Sequence, residues 1–384
     1  MKAAPCARTY SRNDSTVFVR TQEVDYAMMP MTKTESVTDI AFGVWLPVYG
    51  GWLRTFDHPR APDIRSCLEV GQRAQALGYD FLYASENLLN CIHGPTAPVV
   101  DAWSLLGALA ATTQDIGLCG AVKPGFRSPL LAARMVDTVS EVAGRRLGIN
   151  VACGWWKDEF ELADVAWLDH ERRYDRADSF LRSLSRLYDP AMEHDARADS
   201  YEGAAPPSFG LAQEWRPDIW ISGHSERATE LMAEWGDCLF LNGLPDIQLV
   251  RHITQARQAA IRWGRKISIA VNAFVIANED ARTARRRRED VVRRRNDASI
   301  AFFRAAMETS DAAAWANLTD ELMVDSNSGF VAGLIGSFED VRARVVQLAA
   351  MGVDKIVCQF DDPLRDVGPF MQHVINPLRA SGKA

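Results

Sequence analysis

The stretch Gly144–Tyr174 reads GRRLGINVACGWWKDEFELADVAWLDHERRY, and it decides the fold. Its apolar run Leu147–Ala152 has the length and the β-branched content of a strand. A single amide, Asn150, interrupts the run, and two indoles, a carboxylate and then a basic and phenolic helix start follow it. Polar and planar side chains at a strand end before a helix are typical of a ligand site in a parallel α/β protein. An ordinary strand beneath a tryptophan-rich lid is the alternative interpretation.

Working outward, the same alternation of a short apolar strand with a longer amphipathic segment recurs along the chain. Eight segments are predicted to be strands: Ile40–Trp45, Phe81–Ala84, Ile116–Val122, Leu147–Ala152, Asp218–Ile221, Cys238–Leu241, Ile267–Ile276 and Lys355–Phe360. The connections are long enough for right-handed parallel crossovers. The sequence therefore predicts an α/β fold, a (β/α)8 TIM barrel with insertions. A doubly wound sheet is the alternative, but no GxGxxG motif follows a predicted strand.

The ends of this pattern set the predicted domain organisation. Residues 1–38 are polar and lack the apolar region of a secretory signal, so we expect a disordered N-terminal tail. Met28, Met29 and Met31 are alternative starts of translation within it. Residues 39–384 are predicted to form one barrel domain.

Two stretches inside the barrel domain depart from the alternation. Residues 189–217 are rich in Pro, Gly and Ser and predict a surface loop. Residues 280–325 are highly charged and predict a helical insertion. If the barrel binds a ligand, our hypothesis is that this insertion closes over the ligand site as a lid. Its arginine runs, at 285–288 and 293–295, predict a solvated helix face balanced by nearby acids, with capture of an acidic ligand as the alternative.

Composition narrows the class of protein. The chain has 384 residues, 47% of them hydrophobic and 24% charged, which is typical of a soluble globular protein. Its net charge of −7 argues against a nucleic-acid partner. Seven cysteines form neither a CxxC pair nor a metal-like pattern with the seven histidines, so we expect reduced thiols, a cytoplasmic setting and no metal site. No apolar run approaches the ~20 residues of a membrane span.

In a barrel of this kind the ligand site lies at the carboxyl ends of the strands. The residues predicted to lie there are Trp45, Glu86, Asn87, Ala121, Lys123, Asn150, Trp155, Trp156, Ser225, Asn242, Asn272 and Phe274. Aromatic side chains suit a planar cofactor and amides suit its ring edge, although each of these residues also has an ordinary packing role as an alternative.

The residues Gly223, His224 and Ser225 follow a predicted strand and begin a helix. A glycine at this point lets backbone N–H groups approach an anion, and the helix N-terminus favours negative charge, so the pattern suits a phosphate. A simple serine N-cap is the alternative. We interpret His224 as a polar residue of the rim rather than a catalyst.

Several motifs in order also carry a resemblance. They are GRRLGINVACGWWKDEF, WLDHERRY, WISGHSERATELMAEWGDCLFLNG, VNAFVIANED and GLIGSFEDVRARV, which together span about Ile40 to about Leu378. In these motifs the chain resembles the bacterial luciferase-like, flavin-dependent monooxygenases, in the branch that contains dimethylsulfone, alkanesulfonate and pyrimidine monooxygenases. The resemblance implies a luciferase-like barrel that binds FMN.

The resemblance also implies roles for individual residues. Asn150 would be catalytic, as the amide that faces the flavin and oxygen. The residues implied to bind the cofactor are Glu86, Asn87, Ala121, Asn150, Glu159, Arg173, Tyr174 and Ser225, with Ser225 and the Arg173–Tyr174 pair at the phosphate. The residues implied to bind the substrate are Trp45, Trp155, Asn272 and Phe274.

The match to the branch is mixed. Ala121 stands where the pyrimidine enzymes have a threonine, and Asn272 and Phe274 stand where the alkanesulfonate enzymes have an arginine and a histidine. VNAFVIA is close to the dimethylsulfone type, whereas FDDPL is similar to the pyrimidine type. These departures favour a small organosulfur or neutral heteroatom compound over a charged sulfonate.

By this resemblance the chain would be a two-component enzyme. A separate NAD(P)H-dependent flavin reductase would supply FMNH2, O2 would be the co-substrate, and the protein would be a homodimer or homotetramer. A pyrimidine- or amide-cleaving enzyme and a flavin oxygenase of specialised metabolism are alternatives on the same chemistry. An F420-dependent oxidoreductase and a non-enzymatic flavin-binding barrel are alternatives of another class.

Overall fold

The computed structural model describes residues 39–56, 62–189, 211–308, 310 and 319–381. The predicted N-terminal tail of residues 1–38 and most of the loop predicted for residues 189–217 lie outside these ranges. Within them, no helix combines the length and the hydropathy that crossing a bilayer requires. Nor do the His, Cys, Asp and Glu side chains of these ranges form a group of three or more that could hold a metal ion.

Eight parallel strands close into a barrel in chain order. They are β1 Ala41–Trp45, β2 Phe81–Ala84, β3 Gly117–Val122, β4 Gly148–Val151, β5 Asp218–Ser222, β6 Cys238–Leu241, β7 Ser268–Asn278 and, after a short strand β8 Ile335–Ser337, β9 Lys355–Phe360. The pairings of β6 with β7, of β7 with β9 and of β9 with β1 complete the ring. β8 pairs only with the end of β7 and stays outside it. The predicted (β/α)8 TIM barrel is confirmed.

Alternate residues of each strand face the barrel axis, and the parallel register decides which of them meet. Asn150 of β4 aligns with Ala121 of β3 on one side and with Trp220 of β5 on the other. Deeper in the barrel, Phe81 takes the space beside Gly43, where an added Cβ would lie 2.1 Å from the phenyl ring. Large side chains such as Phe81 thus fill the barrel interior next to small residues of neighbouring strands, such as Gly43.

Helices cover the outside of the barrel. In the described residues they are α1 Ile64–Leu77, α2 Ala102–Thr112, α3 Pro129–Ala143, α4 Lys157–Leu162, α5 His170–Tyr188, α6 Glu226–Trp235, α7 Asp246–Arg262, α8 Ala281–Arg293, α9 Asp297–Glu308, α10 Phe338–Ala350, α11 Pro363–Phe370 and α12 Asn376–Ser381. Their limits follow local chemistry. The Asp63 side chain accepts from the N–H groups of Arg65 and Ser66 at the start of α1, and Gly78 ends that helix with φ 89°.

Three elements differ from the sequence-based prediction. The six-residue α4 and the three-residue β8 are too short to show a periodic apolar pattern. The closing segment, for which the sequence near Val367–Leu378 predicts one helix, consists of α11, a π-helical turn Met371–Ile375 and then α12. Pro369 and Pro377 lie in this segment and have no N–H for a helical hydrogen bond, so a regular ladder is interrupted.

The segment between β7 and β8 begins with α8 and α9. Arg287 of the first arginine run forms ion pairs with Asp361 at 3.1 Å and Asp366 at 2.7 Å. Arg288 pairs with Glu321 at 2.8 Å. These two arginines therefore lie on a helix face balanced by acids, as the sequence predicts for the run. Closure of the segment as a lid stays a prediction.

Candidate active site

A cleft opens at the carboxyl ends of the barrel strands, where (β/α)8 enzymes bind their ligands. Its empty volume is about 1170 Å³, counting the space open to solvent. The resemblance implies a catalytic, cofactor-binding or substrate-binding role for twelve residues. Nine of these twelve line the cleft: Trp45, Glu86, Asn87, Ala121, Asn150, Trp155, Arg173, Tyr174 and Ser225. Glu159, Asn272 and Phe274 do not, and each of them is fully buried.

Asn150 is held at both ends of its side-chain amide. Its Nδ2 donates a hydrogen bond to the Tyr83 hydroxyl at 2.7 Å, and the Ser222 hydroxyl donates to its Oδ1 at 2.8 Å. An amide nitrogen carries two N–H groups, so one donor remains for a ligand in the cleft. Because both hydroxyl groups belong to barrel strands, β2 and β5, the orientation of the amide is set by the barrel itself.

The ring of Tyr83 is packed among aromatic side chains of other strands. Its centroid lies 4.8 Å from Trp45 and 5.2 Å from Phe240, both in edge geometry, and 6.5 Å from the parallel ring of Trp220. Burial raises the pKa of Tyr83 above its ordinary value, so the phenol stays protonated. Sequence reasoning missed this residue, although its inward position in a predicted strand was a usable signal.

The turn from β5 to α6 consists of Gly223, His224 and Ser225, and we name it the anion cradle after the phosphate role that the sequence predicts for it. The Ser225 Oγ accepts from Ala228 N at 3.1 Å, so Ser225 is the N-cap of α6, which was one of the two interpretations of this serine. Gly223 has φ 151°, and an added Cβ would lie 2.7 Å from the Ala228 Cβ and 2.8 Å from the Tyr174 hydroxyl. Only glycine fits there. The Ser225 hydroxyl hydrogen and the N–H groups of the first helical turn suit an anion.

Arg173 adds positive charge to this end of the cleft. It is 2% exposed; its Nη1 donates to Leu168 O at 2.7 Å, and its guanidinium lies 4.2 Å from the centre of the Trp167 ring. Arg176 follows one turn later on α5, and burial together with the charge of Arg173 lowers the pKa of Arg176. Two neighbouring guanidinium groups produce a positive potential that favours a phosphate.

A buried ion-pair network supports the wall beside Glu86 and Asn87. The Lys123 Nζ donates to Glu159 Oε2 and to Asn87 Oδ1. Glu86 accepts from Lys123 N at 3.0 Å and from Arg127 Nε at 2.8 Å, while burial raises the pKa of Glu86. Glu159, although predicted to bind the cofactor, thus lies behind the wall and pairs with Lys123.

The two residues predicted on strand seven lie below the cleft. The Asn272 Nδ2 donates to Asn327 O at 3.2 Å, and Phe274 packs in edge geometry on Phe330 at 5.2 Å. The chain at Gly329 passes so close that an added Cβ would lie 2.7 Å from Phe274 N. The chain at residues 327–329 therefore covers both side chains, and neither Asn272 nor Phe274 lines the cleft.

Arg54, which the sequence analysis did not single out, also lines the cleft. It is 1% exposed. Its Nη1 donates to Met323 O at 2.9 Å and to Asp325 O at 3.0 Å, and its Nη2 donates to Cys91 O at 3.3 Å. Its guanidinium lies 3.8 Å from the centre of the Phe303 ring of α9. A loop position gave no periodic signal by which the sequence could have revealed it.

His224 lines the cleft as a neutral ring. Asn242 N donates to its Nε2 at 3.0 Å, which requires that nitrogen to be unprotonated. Burial, and after it the neighbouring His252, lowers the pKa of His224 to about 4. The residue is thus a polar part of the rim at neutral pH.

Comparison with known proteins identifies the family of this chain. The family model described as luciferase-like monooxygenase matches residues 41–355. An FMNH(2)-dependent dimethylsulfone monooxygenase of Pseudomonas putida is 28% identical over 352 residues, which cover 88% of this chain and 95% of that protein.

Solved structures show the same fold. The long-chain alkane monooxygenase LadA aligns with a TM-score of 0.76 at 17% identity, over 91% of this chain and 92% of that one. DmoA from Hyphomicrobium sulfonivorans aligns with a TM-score of 0.69 at 17% identity, over 89% and 88%. The predicted resemblance, and with it the prediction of an enzyme, is confirmed at the level of the family. This chain belongs to the luciferase-like monooxygenase family.

Proposed function

We propose that this protein is an FMNH2-dependent monooxygenase that inserts one oxygen atom from O2 into a small organosulfur or other heteroatom-containing substrate. The observation that carries the proposal is the anion cradle of Gly223–Ser225 with Arg173 and Tyr174, which opens into an aromatic cleft. The name of the P. putida relative, an FMNH(2)-dependent dimethylsulfone monooxygenase, supports the choice of cofactor and of substrate class.

The residues present fit the phosphate and the ring of FMN. Gly223 leaves space that any Cβ would fill, so backbone N–H groups can approach a phosphate, and Arg173 contributes charge-assisted hydrogen bonds. Beyond the cradle, Trp45, Tyr83 and Phe240 present an apolar wall to a planar ring. Asn150 then offers an N–H donor to the ring edge or to oxygen.

The reduced flavin, when bound, supplies the electrons that activate dioxygen, and the protein supplies position and shelter. Trp155 and Phe303 meet in edge geometry at 5.5 Å, and Trp156 meets Phe302 at 5.4 Å. Two aromatic pairs thus join α9 to the loop after β4. We propose that they close the cleft and keep water from the reacting atoms, which is the lid role predicted for this segment.

The remaining components follow from the resemblance. A separate NAD(P)H-dependent flavin reductase would deliver FMNH2 to this protein, which would work as a homodimer or homotetramer. Two alternatives on the same fold make other predictions. An F420-dependent oxidoreductase would bind F420 and transfer hydride without oxygen. A non-enzymatic flavin-binding barrel would bind oxidised FMN tightly and show no substrate-dependent consumption of oxygen.

Two measurements test the proposal. Titration with FMN, FMNH2 and F420 should show binding of FMNH2. Turnover with a flavin reductase, NADH, O2 and a panel of sulfones, sulfonates and pyrimidines should consume oxygen in proportion to an oxygenated product. Preference for F420, or flavin binding without any such product, would contradict it.

A further inference from the structure

Arg54 carries a charge at the cleft wall that its hydrogen-bond partners do not neutralise. In the part of the chain that the structure describes, its side chain forms three hydrogen bonds, all to backbone carbonyl oxygens, which are uncharged. A guanidinium has five N–H donors, and in the described residues the Nε of Arg54 has no hydrogen-bond partner. Burying a charge is costly unless it is paired, so this arrangement favours an anion from outside the chain.

The carboxylate of Asp325, an acid near Arg54, forms its hydrogen bonds with other groups. The Asp325 carboxylate accepts from Gly329 N at 2.8 Å and from Phe330 N at 2.9 Å, while it is the backbone oxygen of Asp325 that faces Arg54. Burial raises the pKa of Asp325 to about 7 even though the charge of Arg54 lowers it, so Asp325 offsets the Arg54 charge only in part at neutral pH. By contrast, Lys123, a second cation of the cleft, has Glu159 as its partner.

The place of Arg54 in the barrel separates it from the phosphate end. Arg54 follows β1, whereas the cradle follows β5, and β1 and β5 are diametrically opposite in a ring of eight strands. A ligand with its phosphate in the cradle and its ring over the barrel axis would therefore point away from the phosphate toward Arg54. The guanidinium is stacked on Phe303, which fixes its plane.

We propose that Arg54 binds an anionic oxygen group of the substrate, such as a sulfonate, a sulfinate or a carboxylate. The inference rests on the proposed function, because it assumes flavin in the cleft. It also replaces the expectation of a neutral substrate, which came from Asn272 and Phe274. Those two side chains lie beneath the cleft, and the cation of this wall comes from the loop after β1 instead.

The test is equilibrium titration of FMN-loaded protein with methanesulfonate, acetate and dimethylsulfone. Dimethylsulfone matches methanesulfonate in shape but is neutral. The wild-type protein should bind an anion at least about tenfold more tightly than dimethylsulfone. If methanesulfonate binds more tightly than acetate, the substrate group is a sulfonate; if acetate binds more tightly, it is a carboxylate.

Arg54→Gln should weaken anion binding by roughly 10- to 100-fold and leave dimethylsulfone within about threefold. Arg54→Lys keeps the charge but not the planar fork, so its loss should be intermediate. Arg145→Gln is the matched control. Arg145 also donates to backbone carbonyl oxygens, at Ile116, Gln114 and Ala143, but lies outside the cleft, so its loss should change no affinity.

Two results would overturn the inference. One is wild-type protein that binds dimethylsulfone as tightly as the anions, a comparison that needs no variant to fold. The other is an Arg54→Gln protein that loses affinity for all three probes equally, as a purely structural arginine would. A wild-type protein that binds no flavin would overturn the proposed function together with this inference, whereas flavin binding without anion preference would overturn the inference alone.

Discussion

The Asn150 amide and the Tyr83 hydroxyl are joined by a 2.7 Å hydrogen bond that reaches from β4 to β2, past β3 between them. The β3 residue aligned with Asn150 is Ala121, which carries only a methyl group. A small side chain on the intervening strand leaves the phenol room to reach the amide. The small side chain of Ala121 thus leaves room for the hydrogen bond between the Tyr83 hydroxyl and Asn150.

Tyr83→Phe should therefore impair chemistry more than binding. The ring packing stays, while Asn150 loses one of its two orienting hydroxyl groups. We expect FMN affinity within about threefold of wild type and reoxidation of bound FMNH2 by O2 slowed by about tenfold, from loss of one hydrogen bond to a buried amide. Stopped-flow absorbance measures the rate, and the visible spectrum of bound FMN reports the altered amide.

Tyr79→Phe is the control for this variant, because the Tyr79 hydroxyl donates to Val367 O at 2.9 Å outside the cleft. If Tyr83 acts through Asn150, adding Tyr83→Phe to Asn150→Ala should have little further effect. Additive losses would show that the two residues act separately.

Arg173→Ala should weaken FMN and FMNH2 binding by about 10- to 100-fold, since it removes a buried cation from the phosphate end. Ser225→Ala should cost less in affinity, but it also removes the N-cap of α6, worth about 1 kcal/mol of stability. Fluorescence titration with FMN checks both. Arg172→Ala is the matched control, because the Arg172 side chain is 72% exposed. Unchanged affinity in Arg173→Ala would refute the phosphate assignment.

Acid should destabilise the protein partly through His224. The pKa of His224 is lowered to about 4 in the folded protein, against an ordinary value of 6.5. The unfolded chain therefore takes up a proton that the folded protein does not, and stability falls as the pH drops from about 6.5 to about 4. The expected contribution is roughly 1–3 kcal/mol. Urea unfolding at several pH values should give a shallower pH dependence for His224→Gln, and an identical profile would contradict this origin.

The Lys123–Glu159 pair should show strong coupling. Both side chains are buried, at 3% and 0% exposure, so removing one leaves the other charge unpaired. We expect Lys123→Met to lower the free energy of unfolding by about 3–5 kcal/mol, and the double change with Glu159→Leu to recover much of that loss. Denaturant unfolding of the single and double variants measures it. Equal losses in both would argue against the ion pair.

The barrel was predictable because each strand is a short apolar run, and residues typical of turns follow it in the sequence. Phe81–Ala84, Cys238–Leu241 and Lys355–Phe360 have the bounds that the sequence predicts. Asn150 and Ser225 were predicted at the cleft because they stand at a strand end and at a helix start, and both line it. Arg173 and Tyr174, which the resemblance implies, line it as well. Two other predicted positions differ: Glu159, implied by the resemblance, and Asn272, expected at the carboxyl end of strand seven, do not line the cleft.

What the sequence by itself determined is the order of the strands and the glycine and serine that begin α6, because these depend on local periodicity and on the chemistry of adjacent residues. Only the tertiary structure decided which side chains share the cleft. The pairing of Tyr83 with Asn150 depends on register and on the size of Ala121, and the contact of Arg54 with residues 323 and 325 depends on where two loops meet. Interactions between residues so far apart in the chain leave no pattern in the sequence around either partner.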